Sequence, residues 1–377
     1  MTHSFSEEPT EIFGNAREKF NTTAGTELEM TQVPDNFVSS MLRELSAGQG
    51  PPMFAWAHDI IGEFNRNGLL MDMSDDLRVD ECAYTDVAWD AVNHDGKVNA
   101  LPYAAEAPAF IYNKDILDEL DAQPPDTIDE MKSIMDDWLD RGNQYGFGQP
   151  IDPYFSTWAG HMFGDPLYDG EQLGLDSPEF AAGLRVLLDE LKPYMPSDGA
   201  YEAQEAVFRD GVAPFTVNGP WTITGFIQDT DFDVGVSTIP NKNHDEYGEG
   251  VPKPYMGVQV LFLTARAEED SETAQVAREF VEWFTTNDEQ ILNLANNAGY
   301  IPVKSSISGS DELPPLVKGF SEQTEQGVLM PSDPGIGEVW VPYGDVVEEA
   351  FSTGDTSSLE SDLASAAEEI RSAWEDG

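Results

Sequence analysis

The chain has 377 residues, 40% of them hydrophobic, which is enough to build cores and, at ~100–200 residues each, long enough for two domains or lobes. Its 71 Asp and Glu face only 19 Lys and Arg, a formal net charge of −52. That sign excludes nucleic acid and anionic lipid as partners, since both are bound through basic groups that displace counterions. Such self-repulsion is tolerable where salt shortens the Debye length to ~3 Å at 1 M, so the acidity reads as adaptation to a salt-rich habitat.

Taken in chain order, "MTHSFSEEP" (1–9) lacks the apolar stretch of a signal peptide. The sequon Asn21-Thr22-Thr23 follows, a pattern too common by chance to carry weight. "ELEMTQV" (27–33) has the look of a strand. "DNFVSSMLRELSAGQG" (35–50) predicts a helix capped by Asp35, with Phe37, Met41, Leu42 and Leu45 on one face and Gly48 at its stop. "MFAWA" (53–57) alternates as a short strand would, leaving His58 and Asp59 where it exits the sheet. Further strands are expected in "PAFIYN" (108–113), "APFTVN" (213–218), "FDVGVSTI" (232–239) and "MGVQVLFL" (256–263). Helices are expected in "DSPEFAAGLRVLLDELK" (176–192), capped by Ser177 with Pro178 in its first turn, in "TAQVAREFVEWFTTN" (273–287), and at the C-terminus with Leu359, Leu363, Ile370 and Trp374 on one side. Strands alternating with helices predict α/β layering with mainly parallel sheets. The extended segments 100–113 and 252–263 are candidates for strands passing between lobes.

The signals for catalysis are thin. Cys82 is alone, which excludes an intramolecular disulfide and a cysteine-based zinc site. The five histidines (3, 58, 94, 161, 244) show no metal-ligand spacing. No apolar run is long enough to span a membrane. A glycosidase needs two carboxylates ~5–9.5 Å apart, but among 71 acids some pair always fits. No nucleophile elbow or phosphate-binding loop is present. "DTDFDV" (229–234) begins like a calcium loop, yet Val234 stands where that loop needs glycine, so a turn entering a strand is expected.

Aromatics beside hydrogen-bonding groups at element ends are more informative. They occur in "WAHD" (56–59), "IDPYF" (151–155), "NGPW" (218–221) and "VLMPSDPGIGEVW" (328–340). Singly, each is explained as well by core packing or a stapled turn. Together they suit a sugar, whose faces carry C–H groups for stacking and whose rim carries hydroxyls for Asp, Glu and Asn.

In these stretches the sequence resembles the maltose/maltodextrin-binding proteins, receptors of ABC sugar importers. The resemblance runs through "EIFGNAREKFNTTAG" (11–25), "FAWAHD" (54–59), "AWDAVNHDGKVNALPYAAEAPAFIYNKDIL" (88–117), "DPYFSTW" (152–158), "AVFRDGVAPFTVNGPW" (206–221) and the segment from Met330-Pro331 to Trp340, in family order and spacing. It implies a two-lobed periplasmic-binding-protein fold of type II, each lobe a mainly parallel sheet flanked by helices, with lobes hinged and closing on a ligand. Residues 1–105 and 260–303 are expected in the N-terminal lobe, and 106–259 and 304–377 in the C-terminal lobe. Carried over by position, Trp56, Ala57 and Asp59 belong to the first lobe's sugar site, and Glu106 reaches the sugar from the hinge region. Tyr154 matches the second lobe's stacking tyrosine, with Asp152, Pro153 and Phe155 beside it. Trp221 and Trp340 are further stacking residues, with Met330 bordering them.

The chain also departs from the family. Asp152 replaces a glutamate, Ile60 an arginine, Asn36 a sugar-contacting lysine and Val341 a tyrosine. Relatives open with an apolar strand in the centre of the first sheet, which this chain lacks; His3, Ser4, Ser6 and Glu7 are then expected near the ligand loop, without an assigned role. The resulting expectation is a non-enzymatic receptor for maltose or maltodextrin that needs no cofactor or metal, delivers its ligand to membrane permease subunits, acts as a monomer and sits outside the cytoplasmic membrane on a lipid anchor. The alternatives are a receptor for another sugar or polyol, an extracellular glycosidase, and a sugar sensor.

Overall fold

The computed structural model describes residues 1–33, 36–94 and 96–376. In chain order the strands among them are β1 (Thr2–His3), β2 (Thr31–Gln32), β3 (Met53–Ala57), β4 (Asn93–His94), β5 (Lys97–Val98), β6 (Ala100–Glu106) and β7 (Ala109–Asn113). They continue with β8 (Phe147–Gly148), β9 (Phe215–Asn218), β10 (Val234–Ser237), β11 (Lys242–His244) and β12 (Gly248–Gly250). The last three are β13 (Tyr255–Leu263), β14 (Ile301–Pro302) and β15 (Val328–Leu329). The chain divides into two compact units: Met1–Glu106, Gly257–Pro314 and Pro331–Pro334 form the first, and Ala107–Met256, Pro315–Met330 and Gly335–Gly377 the second. Both segments expected to pass between lobes contain a boundary, at 106/107 and 256/257. Residues 106, 257–259, 304–314 and 331–334, expected in the second lobe, group with the first.

The first unit is built on the strand order β14-β6-β13-β3-β1-β2. β13 is the long central strand, nine residues that are apolar except for Gln259, as suits a strand covered on both faces. Its core is aromatic: Phe13 stacks between Phe5 at 4.6 Å and Phe284 at 4.3 Å, and Phe54 stacks on Phe262 at 4.6 Å. Pairing is mixed, not mainly parallel. β1 runs parallel to β2 and β3, whereas β13 is antiparallel to both β3 and β6, and β14 is antiparallel to β6. Alternating strands and helices reveal layering but not direction, and a strand that re-enters from another unit escapes the local crossover rule. The opening strand expected to be missing is present as a stub, with Thr2 paired to Thr31 and to Phe54.

Of "ELEMTQV", only Thr31 and Gln32 are strand. The helix Phe37–Ser46 starts from Asn36 rather than Asp35, which lies outside the described residues. Asn21, the sequon residue, closes the helix Glu7–Ala24: its amide donates to the Leu28 carbonyl at 3.0 Å and accepts from the Leu28 N–H at 2.9 Å. That engagement makes it a loop clamp.

The second unit's sheet has the order β10-β7-β9-β8, antiparallel except for β8 with β9. Its core packs Trp158, Phe180, Phe215 and Tyr343, all fully buried, under the C-terminal helix Leu359–Asp376, which buries Leu359, Leu363 and Ile370 as its spacing predicts. Trp374 of that helix lies 4.8 Å from Tyr168 and donates to the Gly335 carbonyl at 3.0 Å. Ser177 caps the helix Pro178–Arg185 by accepting from the Phe180 N–H at 3.2 Å.

That helix crosses Pro153–Gly160 so closely that a Cβ on Gly183 would lie 1.9 Å from the Ala159 carbonyl oxygen. Both elements are held by buried contacts and cannot retreat cheaply. Gly183→Ala is therefore expected to destabilise the second unit by about 3 kcal/mol, read by urea unfolding; a loss below about 0.5 kcal/mol would mean that the crossing is plastic.

Candidate functional site

In the first unit the expected site residues gather at the ends of β3 and β6, the two neighbours of β13. Trp56 continues the row begun by Phe54 on the same face of β3 and is half-buried, one face stacked on Phe37 at 5.0 Å. Ala57 pairs with Gln259 of β13. His58 is fully buried, its Nδ1 accepting from the Val258 N–H at 3.1 Å, so it ties the turn after β3 to β13. Asp59 begins the descent into the helix Ile61–Arg66; its Oδ1 is buried with no hydrogen-bond partner among the described residues. Burial lifts its carboxyl to about 6, against a smaller opposing pull from its own backbone N–H.

Glu106 ends β6 opposite Gly257, whose missing Cβ leaves room for the carboxylate arm: a Cβ there would sit 3.1 Å from Oε1. Burial raises its carboxyl to about 7; a hydrogen bond from Gln259 opposes the rise and the charge of Asp59 adds to it. Gln259 Nε2 donates to Glu106 Oε1 at 2.8 Å, and the buried Tyr103 hydroxyl donates to Gln259 Oε1 at 3.2 Å. The first unit thus holds two acids of weakened acidity beside one half-covered indole. Gln259 and Tyr103 were not singled out from the sequence, although a lone glutamine inside "MGVQVLFL" is a visible break in an apolar strand.

The remaining first-unit expectations separate from this group in character. His3 is 1% exposed in β1, its Nδ1 accepting from the Phe5 N–H at 3.2 Å and its ring stacked on Phe5 at 4.6 Å, an arrangement of packing rather than display. Ser6 and Glu7 are exposed at the start of the helix Glu7–Ala24. Asn36 is exposed in the left-handed region at φ 49°, which asparagine tolerates better than lysine, so the family's lysine would meet backbone strain at this position. A separate groove of about 720 Å³ beside Met1, Thr31, Pro52 and Asp270 includes none of the expected site residues.

In the second unit an aromatic frame forms around Phe155. Asp152 caps the helix Pro153–Gly160, its Oδ1 accepting from the Tyr154 N–H at 2.8 Å, and Pro153 occupies the first turn, where its missing N–H costs nothing. Aspartate rather than glutamate suits this capping duty, because its short arm reaches back to the second N–H of the helix. Phe155, 6% exposed, meets Tyr154 edge-on at 5.7 Å, Tyr201 at 6.0 Å and Trp221 at 6.1 Å.

Trp221 is pinned. Its ring folds back over Gly219, where a Cβ would fall 2.2 Å from the indole edge, and its Nε1–H donates to Tyr201 Oη at 3.0 Å. Tyr201 in turn donates to Asn218 Oδ1 at 3.2 Å, which also accepts from the Gly219 N–H at 2.8 Å. Tyr201 escaped sequence reasoning because it lies at a helix start remote in sequence from "NGPW". Tyr201→Phe should cost about 1–2 kcal/mol of second-unit stability by stranding the indole N–H; an unchanged urea midpoint would show that water replaces the phenol freely.

Met330 is 5% exposed and follows β15, its N–H donating to the Met256 carbonyl at 3.0 Å. Trp340 opens the helix Trp340–Thr353, half-buried and edge-on to Tyr255 at 6.1 Å, with Val341 beside it 70% exposed. Chemically the second unit offers flat apolar faces, and the first offers carboxylates beside an indole. Among the described residues no group of three potential metal ligands exists, and no helix is long and apolar enough to cross a membrane.

Residues 15–318 match the family model described as bacterial extracellular solute-binding protein. The maltotriose-binding protein of Pyrococcus abyssi is 35% identical over 377 aligned residues, covering 98% of this chain and 80% of that protein. The galactooligosaccharide-binding protein of Bacillus subtilis is 23% identical, covering 82% of this chain and 73% of its own length. Among solved structures, the maltotriose binding protein of Thermus thermophilus, bound with maltotriose, superposes with a TM-score of 0.85 at 24% identity, covering 99% of this chain and 98% of that one; at this identity the likeness establishes the fold.

Proposed function

The chain belongs to the bacterial extracellular solute-binding protein family, and from that premise we propose that it is the sugar receptor of an ABC importer, taking up maltotriose or a related maltodextrin without making or breaking a bond. The observation that carries this reading is the 35% identity, across nearly the whole chain, to a protein named for binding maltotriose. The residues in each unit support it. Trp56, Tyr154, Trp221 and Trp340 supply flat faces for glucosyl rings, with the buried Phe155 backing two of them, and Asp59 and Glu106 supply acceptors for hydroxyls. A hydroxyl buried without a partner costs about 1–3 kcal/mol, so such a site rejects sugars of the wrong stereochemistry more strongly than it rewards the right ones. Ligand shifts the population of conformers by its differential affinity for them, which is how a loaded receptor differs from an empty one at the permease. The proposal places the protein as a monomer on the outer side of the cytoplasmic membrane, held there by a lipid anchor.

A second reading, a receptor for a different oligosaccharide, is favoured by the relation to the galactooligosaccharide-binding protein. Intrinsic tryptophan fluorescence in multimolar KCl, titrated with maltose, maltotriose, trehalose and a galactooligosaccharide, separates the two, with released glucose assayed afterwards. Saturable quenching by the maltose series without glucose supports the first reading. Response to the galactooligosaccharide alone supports the second, and glucose release would overturn both in favour of a glycosidase.

A further inference from the structure

The first unit carries a hydrogen-bonded relay that ends on one oxygen of Glu106. Tyr103 is 1% exposed, and burial holds its phenol well above its usual range, so its hydroxyl is always a donor. That hydroxyl points at Gln259 Oε1, which fixes the amide with its nitrogen toward Glu106. The reverse orientation would set amide oxygen against carboxylate oxygen and leave the buried phenol without its acceptor. Glu106 therefore meets an N–H at Oε1, while Oε2 has no hydrogen bond among the described residues. Gly257 opposite makes the geometry possible, because the glutamate arm lies across the space its Cβ would fill.

We infer that Gln259 is a positioning residue for Glu106: oriented by Tyr103, its amide occupies Oε1 and reserves Oε2 as the acceptor for a ligand hydroxyl. The inference rests on the sugar-receptor reading. The groups facing Glu106 are Asp59 at the end of β3, Tyr103 on its own strand, Tyr300 just before β14, and the uncharged Gln259 on β13. Burial pushes the Glu106 carboxyl up, to about 7, Gln259 holds it down, and the charge of Asp59 adds a smaller rise. No described cation pairs with it, so the amide is its principal counterweight.

The sign for binding follows. An ionised carboxylate accepts a hydroxyl better than a protonated one, so ligand favours the charged form. Affinity is then constant above about 7 and falls as pH drops below that value, with a proton released on binding there. Without the amide the charged form loses a donor, and the midpoint moves up.

The test pairs a ligand-free readout with a binding readout. The ¹³C carboxyl signal of Glu106, identified by its loss in Glu106→Gln, is titrated in the wild type, in Gln259→Met and in Tyr103→Phe. Gln259→Met keeps the length and removes the amide; Tyr103→Phe removes only the orienting hydroxyl and stands in if the first variant does not fold. The wild-type midpoint is expected at about 7, raised by about one unit in Gln259→Met and less in Tyr103→Phe. Maltotriose affinity between pH 5.5 and 8.5 should shift its midpoint in parallel, so that Gln259→Met weakens binding roughly fourfold more at pH 7 than at pH 8.5. An unmoved carboxyl midpoint overturns the inference, and so does a uniform loss of affinity at every pH, which a merely structural glutamine would produce. If the wild type binds no sugar at any pH, the receptor reading fails while the carboxyl titration still decides whether Gln259 sets Glu106.

Discussion

Trp221→Ala is expected to weaken maltotriose binding about 30-fold, and Trp340→Ala about 10-fold or more, with both proteins folded. A glucosyl ring covering one indole face removes roughly 80 Å² from water, which at about 25 cal/mol per Å² is about 2 kcal/mol, or 30-fold in affinity. The larger effect falls on Trp221 because its ring needs no ordering on binding. Gly219 lies beneath it, Phe155 meets it edge-on and Tyr201 holds its N–H. Trp340 is held chiefly by its edge contact with Tyr255 and pays part of its stacking energy to stop moving. Isothermal titration with circular dichroism as the folding control is the measurement. Trp221→Phe should recover part of the loss, since a smaller ring still offers a face. Unchanged affinity in both alanine variants would remove the aromatic model and leave the carboxylates of the first unit to explain binding alone.

The same residues show what a sequence can and cannot carry. "NGPW" was readable because Gly219 and Pro220 are turn formers and a tryptophan after them is placed by the local chain. The helix cap at Ser177 follows local rules as well, and the structure bears it out as a capping hydrogen bond, whereas the cap that Asp152 makes went unread although it obeys the same rules. What was hidden depends on partners far apart in sequence. Tyr201 and Trp221 meet through a hydrogen bond across 20 positions, and Gln259 and Glu106 across 153. Strand direction was hidden for the same reason: β13 is antiparallel to β3 and β6 because of where the chain re-enters the first unit, which periodicity does not record. The opening stub Thr2–His3 was missed because two residues are too short to show alternation. His3, expected near the ligand loop without an assigned role, has its ring stacked against Phe5, a contact that the short opening segment does not announce.

Lowering KCl from 3 M to 0.1 M is expected to drop the thermal midpoint by at least about 10 °C. The argument begins with a count: 71 acids and 19 bases leave 71 − 19 = 52 negative charges uncompensated, however well the cations are placed. Many of the cations are already engaged. Lys242 bonds Asp129 at 2.8 Å and Glu190 at 2.9 Å, Lys132 bonds Glu190 at 2.8 Å, and Arg371 grips Asp176 through both nitrogens at 2.8 and 3.0 Å. Salt screens these attractions too, but exposed pairs contribute only about 0–1 kcal/mol each, while the surplus repulsion acts between every unpaired acid and its neighbours. Cutting the Debye length from about 10 Å at 0.1 M to about 3 Å at 1 M and less at 3 M removes most of that repulsion. Relief of about 5 kcal/mol spread over units of this size corresponds to roughly 10–20 °C.

Glu190 gives the experiment an internal check. Burial pushes its carboxyl up, but hydrogen bonds from Lys132 and Lys242 outweigh it and hold it below its ordinary range. A depressed carboxyl contributes stability above its unfolded value and loses it as pH falls through the folded one. Glu190→Gln should therefore destabilise at pH 7 in dilute salt, with the difference from wild type shrinking in acid. If the wild-type midpoint instead stays flat or falls with KCl, the acidity is not an adaptation to salt, and the 52 uncompensated charges must be tolerated by spacing alone.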